Sequence, residues 1–593
     1  PFNSKKIVLS LATISFLASY ANATTSGTCP TSTRSSSDST NGTYNCTISG
    51  THNQGITLSS SGTLNVTITK NGTLGNTHSI SSLVLKPDNG STPTLTLINE
   101  GTIGSRIDIE NNNGFQGTIT VKTFENKGGT INERVYMGGD GQGTISIENF
   151  NNSGTIKGAE QNDQNKNESR QGVWFKGNVT INTFHNTGTI KGGHNGQGVK
   201  FEGNVHVGTF HNKQNGTIES KNGNYAILLI GEKSNTPTLE NFKNEGFIKG
   251  DIGIGGTSGF NGTITVKTFE NKNGGTIDGG IYMPASEKGT ISIDSFTNTG
   301  TIKGGNYQGV YFQGDNVHIK TFENTGFISG SGDDSTNGRF LTGGGVSMSG
   351  GTIDAFKNSG TIESTGTKKE HNPAGVKLTY TKVNTFENKG TVSGTIGVIA
   401  TQGTIGNFIN KGIIASTSGA AIQIQTSLDD PSTITNFTNE GTIKSASDGV
   451  WIESGNQIGT LTNKGTIESK SNGISFFDYG GNTSPDNTHL GKIILEPGSS
   501  IKAGKNGIDI DHQTARSIKV AGIEVQEGAS VSGDEAGIYL GKDKEITAPI
   551  TISGTVSGGN AGIVNEGRMA RGIVHNGEDD LVISNQGLVG KDD

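Results

Sequence analysis

Apolar and polar residues alternate with a period of two along most of the chain, which indicates β-strands and not helices. The segment from Gly172 to Ile190 is typical, with short alternating runs at 172–177, 178–183 and 184–190. Gly and Asn separate the runs, and both residue types turn the backbone at positive φ. Three short strands in succession predict one triangular coil, which is too small to bury a core alone.

A motif of the form Thr-Phe-x-Asn-x-Gly-Thr-Ile recurs along the chain, as at 183–190, 295–302 and 385–392. Its apolar anchor returns every 22 to 34 residues, a spacing typical of solenoid repeats. The anchors are Leu97, Phe124, Phe150, Phe184, Phe210, Phe242, Phe269, Phe296, Phe322, Phe356, Phe386, Phe408, Phe437 and Leu461. Coils stacked about 4.8 Å apart share one interior. We therefore predict an all-β, right-handed parallel β-helix of about 18 to 20 coils.

An Asn follows each anchor two residues later. A side-chain amide both donates and accepts, so equivalent Asn residues can bond one another along the axis and satisfy buried polar groups. The Phe column beside them is expected to stack and fill the interior. The residues expected to carry these structural columns include Phe184, Phe210, Phe269, Phe296, Phe322, Asn186, Asn212, Asn271, Asn298 and Asn324.

Four segments are distinguished by the pattern. Residues 1–23 have a basic start, an apolar run and a small-x-small site, which together predict a secretory signal peptide. Residues 24–94 are expected to form an N-terminal cap and the first coils, and 95–470 the regular β-helix. Residues 471–593 carry a degenerate form of the motif and are expected to continue the coils.

The two cysteines, Cys29 and Cys46, follow the predicted cleavage site. An exported chain meets an oxidising compartment, so the sequence predicts one disulfide that closes a small N-terminal loop. Two thiols alone make a metal site a poor alternative.

Composition excludes several classes of protein. Glycine is 94 of 593 residues, yet the prolines number 11 and follow no Gly-x-y period, which excludes collagen. The formal net charge of -7 gives no cationic excess for nucleic acid. No later stretch has the roughly 20 apolar residues of a membrane helix.

A signal peptide followed by a long Gly/Asn/Thr/Ser-rich chain of strand repeats resembles the passenger of a Gram-negative autotransporter, the type V secretion class. The Phe-x-Asn-x-Gly-Thr-Ile units are most similar to the large surface autotransporters of Campylobacter and Helicobacter, over residues 24–593. The resemblance implies a β-helix that is displayed at the cell surface or secreted. It also implies association with neighbouring passengers and an outer-membrane barrel beyond residue 593, for which export by another route is the alternative.

Enzymatic motifs are not found in the sequence, and no cofactor is expected. Paired carboxylates at Asp333 and Asp334 and at Asp429 and Asp430 are the candidates for a polysaccharide-degrading β-helix, and solvated loop charges are the simpler interpretation. Carboxylates clustered with Arg or Lys on one outer face would favour that enzyme, whereas scattered charges would count against it.

Histidines crowd into one segment: His185, His194, His206 and His211. His185 and His211 occupy the same outward position of adjacent coils, about 5 Å apart, where two rings could share a metal. Chance filling of outward positions is the alternative.

An outward column on the Gly-Val-x-Phe strand is the leading binding candidate. With Val173 and Phe175 facing inward, Trp174 faces outward. The same register places further residues outward: Lys200, Tyr311, Lys377 and Trp451. Both tryptophans of the chain thus occupy one repeat position, which predicts an exposed surface that binds glycan or protein. Rings covered by a protruding loop are the alternative.

Three long insertions are the other places for binding loops: Ala159 to Arg170, Ser331 to Gly343 and Phe477 to Thr488. Taken together, the features predict a non-enzymatic adhesin that attaches to host cells or other bacteria. A vacuolating-cytotoxin-like passenger is the alternative, although the sequence after Ala23 is polar and does not favour membrane insertion. A surface polysaccharide enzyme is third.

Overall fold

The structure is a computed structural model, in which the following residues are described: 42–59, 61–75, 81–112, 114–160, 170–221, 225–332, 344–368, 372–426, 431–453, 455–477, 487–511 and 517–590. The predicted signal peptide and Cys29 lie outside these ranges, so neither the peptide nor the disulfide is tested. Cys46 is described and is buried. The four candidate loop carboxylates, Asp333, Asp334, Asp429 and Asp430, also lie outside.

The described residues form parallel strands in three sheets, with no helix among them. We call the sheets the first, second and third faces. The first face consists of Thr43–Ile48, Thr63–Ile68, Thr94–Asn99, Thr118–Asn126, Thr144–Asn152, Val179–Asn186, Val205–Asn212, Thr238–Asn244, Thr263–Asn271, Thr290–Asn298, Val317–Asn324, Thr352–Asn358, Lys382–Asn388, Thr404–Asn410, Thr433–Asn439, Gln457–Asn463, Asn487–Leu495, Ser517–Val525, Glu545–Ile546, Ile550–Ile552, Arg568–Met569, Ile573–His575 and Leu588–Val589.

The second face consists of Thr51–His52, Thr73–Leu74, Thr102–Ile103, Thr130–Ile131, Thr155–Lys157, Thr189–Lys191, Thr217–Glu219, Phe247–Lys249, Thr276–Asp278, Thr301–Lys303, Phe327–Gly330, Thr361–Ser364, Thr391–Gly394, Ile413–Ser416, Thr442–Ser445, Thr466–Ser469, Ser500–Ala503, Ser530–Gly533 and Thr555–Gly558. The third face consists of Ile56–Leu58, Leu83–Leu85, Ile107–Glu110, Val135–Gly138, Val173–Lys176, Val199–Glu202, Tyr225–Gly231, Asp251–Gly256, Ile281–Pro284, Val310–Gln313, Val346–Ser349, Ala374–Thr379, Ile396–Thr401, Ile422–Gln425, Val450–Glu453, Ile474–Phe477, Asn506–Ile510, Ala536–Leu540, Ala561–Asn565 and Ile583–Asn585.

Each coil contributes one short strand to each face, and each strand pairs with its equivalent in the next coil, so the chain is a parallel β-solenoid, as predicted. One boundary differs from the prediction, because Phe184 belongs to the same strand as Val179. The inward alternation shifts by one residue at Asn182 and Thr183, which both face outward, yet the backbone remains extended. The corner comes later, at Thr187 and Gly188.

The predicted Phe stack fills the interior. Twelve rings, from Phe124 to Phe437, stack one above another with centroids 4.4 to 5.2 Å apart. Every one of these rings is 0% or 1% exposed. The stack is part of one continuous hydrophobic core that runs from Cys46 to Met569. Each coil shares its interior with two neighbours, so even strands of two to nine residues can bury their inward side chains.

The predicted Asn ladder runs beside the Phe stack. From Asn99 to Asn439, each side-chain amide donates to the amide oxygen of the next coil at 2.7 to 2.9 Å, and Asn463 is the last acceptor. The same amides also donate to backbone carbonyls. Asn298 Nδ2, for example, donates to the carbonyl oxygen of Phe327 at 3.2 Å. The buried polar groups at this corner are thus satisfied, which is the structural role that was predicted.

The motif glycine has a role that the turn argument missed. Gly177 has the expected positive φ of 78°, but Gly390 of the motif is not among the residues of positive φ. An added Cβ at Gly390 would lie 2.0 Å from the carbonyl oxygen of Gly360 in the preceding coil. The motif glycine is therefore required by the close approach of two backbones, not by a left-handed turn.

Gly390→Ala is expected to destabilise its coil by about 1 to 3 kcal/mol, because only a shift of two backbones can make room for the methyl group. Hydrogen exchange of peptides from 360–412 measures this local loss. Gly50→Ala is the control, since an added Cβ there meets nothing within 4 Å. Equal amide protection in the two variants would contradict the close approach.

Candidate functional site

The five residues predicted to form an outward column occupy equivalent positions of the third face. Trp174 pairs with Lys200, and Ser347 lies between Tyr311 and Lys377. We name these equivalent positions the third-face column, which from the third coil onward reads Asp108, Tyr136, Trp174, Lys200, Leu228, Gly253, Tyr282, Tyr311, Ser347, Lys377, Ile399, Gln423, Trp451, Ser475, Asp509 and Tyr539. Neither tryptophan belongs to the continuous core.

The column is outward in register but is not an exposed surface. Trp174 and Trp451 are each 8% exposed, and Tyr311, Lys200 and Lys377 are half-buried. Equivalent residues of successive coils lie about 4.8 Å apart, so long side chains cover one another along the column. The expectation of exposed aromatic rings is therefore wrong for the tryptophans, although the predicted register is right.

Trp174 is enclosed by charged side chains of neighbouring coils. Lys200 Nζ lies 4.9 Å from the centroid of its ring, and Arg134 Cζ lies 5.7 Å away. The indole Nε1 donates to Glu202 Oε2 at 3.1 Å, and the ring of Tyr136 lies 5.0 Å from the indole. Cations over an indole face are a stabilising arrangement. Trp174 therefore takes part in an intramolecular cluster and does not offer a free ring face.

A carboxylate–arginine cluster, the feature that would favour a polysaccharide enzyme, lies next to Trp174. Asp108 Oδ1 is 3.3 Å from Arg134, and its Oδ2 accepts from Arg106 Nε at 2.8 Å and from Ser81 Oγ at 2.5 Å. The side chain of Asp108 is 2% exposed. Both oxygens of the Asp108 carboxylate therefore already have partners, which are two arginines and one serine. The cluster therefore acts as a structural ion network.

A pocket of about 230 Å³ opens further along the third-face column. Two of the predicted residues, Tyr311 and Lys377, line it together. The remaining lining residues were not singled out from the sequence: Ser347, Met348, Ser349, Thr379, Thr401 and Gln425. Ser347 was detectable in principle, because Gly345-Val346-Ser347-Met348 has the pattern of the Gly-Val-x-Phe strand.

Lys377 is the cation of this pocket. Among the described residues, no carboxylate lies within ion-pair distance of its ammonium. Burial lowers the pKa of Lys377 to about 8, because desolvation disfavours the charged form. Burial likewise raises the pKa of Tyr311 to about 12, so its phenol stays neutral. The pocket thus combines one ammonium with one neutral phenol.

Ser347 adds a second unmet polar group. Its side chain is 2% exposed, and within the described part of the chain its hydroxyl has no hydrogen-bond partner. Thr401 Oγ1, in contrast, donates to Gln425 Oε1 at 3.2 Å, and Gln425 donates onward to Gln423. Buried hydroxyls are normally bonded to protein or to water. Ser347 is therefore a buried hydroxyl that the described chain leaves without a hydrogen bond.

Trp451 lies beyond the pocket, three coils from Lys377. The next column positions are Ser475 and Asp509, which are both buried. Burial raises the pKa of Asp509 to about 6. The structure thus does not bring Trp451 and Trp174 together with Tyr311 and Lys377 at one site.

His185 and His211 are neighbours, as predicted, with ring centroids 6.0 Å apart. His211 Nε2 lies 3.2 Å from Glu245 Oε2, and burial lowers the pKa of both histidines. Over the described ranges, no three His, Cys, Asp or Glu residues are grouped so that they could hold a metal ion. The same ranges contain no helix with the length and apolar character needed to cross a bilayer.

The arrangement defines a class by its architecture alone: a parallel β-solenoid with a polar pocket on one outer face. Comparison with known proteins gives no further assignment, since no family model, no curated protein and no solved structure matches the chain.

Proposed function

We propose that this chain is the surface-displayed or secreted passenger of an autotransporter-like protein and acts as an adhesin. Its ligand would be a protein or glycan of host cells or other bacteria, bound through the third-face column. The sequence resemblance supports the passenger assignment, and a β-solenoid is compatible with it. The uniform Phe and Asn columns supply a rigid scaffold on which one outer column varies from coil to coil.

One observation carries the binding role: the pocket at Tyr311 and Lys377 contains a lysine and a serine whose polar groups lack partners in the described chain. Many other lysines of the described chain pair with carboxylates of the same or neighbouring coils, as Lys411 does with Glu387 at 3.4 Å, and most of those that do not are exposed to solvent, unlike Lys377. A half-buried ammonium without a counter-charge is costly, and an external partner offsets that cost. In the ion network at Asp108 the charged groups already pair with one another. This difference favours binding at the pocket over catalysis at the network.

The test is attachment. The whole chain is displayed on a non-adherent bacterium, and bacteria bound to epithelial cells are counted beside Tyr311→Ala/Lys377→Ala and Lys320→Ala/Lys382→Ala variants. The control lysines lie on the first face, and both are exposed. Loss of one ion pair and one ring contact, about 1.4 kcal/mol together, is expected to reduce attachment on the order of tenfold in the pocket variant.

The control variant is expected to attach like the unaltered chain. No attachment by the unaltered chain would overturn the adhesin proposal, and death of the target cells in that case would support a toxin. Attachment that both variants retain would leave the adhesin proposal standing and place its binding surface outside the pocket.

A further inference from the structure

We infer that the pocket on the third-face column binds a single carboxylate-bearing monosaccharide unit of a glycan, with the Lys377 ammonium contacting the carboxylate. The inference rests on the proposed function, because it names the ligand class for the same column.

The charge of the pocket selects for a monoanion. The strands that line it are Val310–Gln313, Val346–Ser349, Ala374–Thr379, Ile396–Thr401 and Ile422–Gln425, and their titratable groups are Tyr311 and Lys377 alone. Tyr311 is neutral at physiological pH, so a single positive charge faces the pocket. Phosphate or sulfate groups are usually held by several donors or by Arg forks. One lysine matches one carboxylate.

The remaining lining favours a sugar over an acidic peptide. Ser347, Ser349, Thr379 and Thr401 are hydroxyl residues, and Gln425 adds an amide. Such groups both donate and accept, as the hydroxyls of a sugar ring do. The ring of Tyr311 contributes the apolar part of the wall, since the side chain of Met348 is buried in the core. A ligand that presents a carboxylate together with several hydroxyls satisfies this set, whereas an Asp or Glu side chain presents a carboxylate alone.

The size of the pocket limits the ligand to one small unit. Its volume of about 230 Å³ is below the roughly 300 to 1,000 Å³ of sites that enclose a drug-sized molecule. The column positions beyond the first and last lining strands are Tyr282 and Trp451, and both are buried. A longer glycan must therefore enter with one residue and leave the others outside the pocket.

The purified full chain is titrated with methyl β-D-glucuronide, and with methyl β-D-glucoside as the neutral match, which carries a hydroxymethyl group in place of the carboxylate. Saturation-transfer NMR and calorimetry are the readouts. We expect the glucuronide to bind at least tenfold more tightly than the glucoside. Lys377→Gln should abolish this preference, whereas Lys382→Gln, which changes an exposed lysine five residues away, should retain it.

A pH series on the unaltered chain gives a second readout that needs no variant. The carboxylate binds the charged form of Lys377, whose pKa in the free chain is about 8. Affinity for the glucuronide should be constant below that pH and should fall by up to tenfold per pH unit above it. A lysine of ordinary pKa, 10.5, would hold the affinity constant to about pH 10.

Equal binding of the two glycosides, a preference that survives Lys377→Gln, or no binding of the glucuronide at millimolar concentration would each overturn the inference. So would an N-acetylglutamate α-amide probe, which carries one carboxylate, if it bound as tightly as the glucuronide, since the pocket would then recognise acidic peptides. These outcomes are independent of the attachment assay, which can succeed through another surface while the sugar titration fails.

Discussion

Asn298→Ala is expected to destabilise the coils on both sides of Asn298 by roughly 2 to 6 kcal/mol. The Asn298 amide donates to Asn324 Oδ1 at 2.7 Å and accepts from Asn271 Nδ2 at 2.8 Å. Alanine leaves one donor and one acceptor buried without these partners, and each such group costs about 1 to 3 kcal/mol. The coils of a solenoid interact mainly with their neighbours, so the loss is local. Hydrogen exchange of peptides from 263–330 measures it directly.

Asn182→Ala is the matched control, because Asn182 lies outward on a first-face strand and its side chain is exposed. Its amide protection is expected to stay within about 0.5 kcal/mol of the unaltered chain. If Asn298→Ala were as harmless as this control, the continuous amide ladder would not be a source of stability.

Phe296→Ala is expected to cost about 3 to 5 kcal/mol, by loss of buried apolar surface and by the cavity that remains. The ring of Phe296 is 0% exposed and is stacked between Phe269 at 4.8 Å and Phe322 at 5.0 Å. The ring of Phe312, on the third face, meets it edge-on at 5.9 Å. The surrounding strands are fixed by hydrogen bonds above and below, so they cannot collapse into the space. Limited proteolysis and hydrogen exchange of the same coils give the readout.

Phe247→Ala provides the comparison within one residue type. Phe247 takes a Thr position of the second face and is 37% exposed, so its removal is expected to cost less than about 1 kcal/mol. Similar protease resistance for the Phe296 and Phe247 variants would mean that the assigned register of the Phe column is incorrect.

The interior of this protein could be predicted from the sequence because its chemistry repeats. Phe184, Phe210 and Phe269 recur at one motif position and can lie only on the shared axis of stacked coils. Asn186, Asn212 and Asn271 were predictable for the same reason, since each side-chain amide is able to pair with the equivalent amide of the next coil. Three parallel faces follow from period-two runs between Gly and Asn corners.

The features that could not be predicted from the sequence depend on distances between coils. The glycine of the motif was assigned to a turn, because one chain cannot reveal that Gly360 O approaches Gly390 from the coil below. The strand boundary at Asn182 was also misplaced, since a one-residue shift of the alternation looks the same in sequence as a corner. Both require the position of the neighbouring backbone.

By itself, then, the sequence determined the solenoid, its inward Phe and Asn columns and the register of the third-face column. Only the tertiary structure decided which side chains of that column are engaged by neighbouring coils and which lack a partner. Trp174 is occupied by Lys200 and Arg134, whereas Lys377 remains without a counter-charge beside Ser347. The physical reason is that inward positions meet identical neighbours in each coil, so a local motif specifies them. An outward side chain meets whatever the next coil contributes, 22 to 34 residues away, and its burial and charge balance exist only after the coils stack.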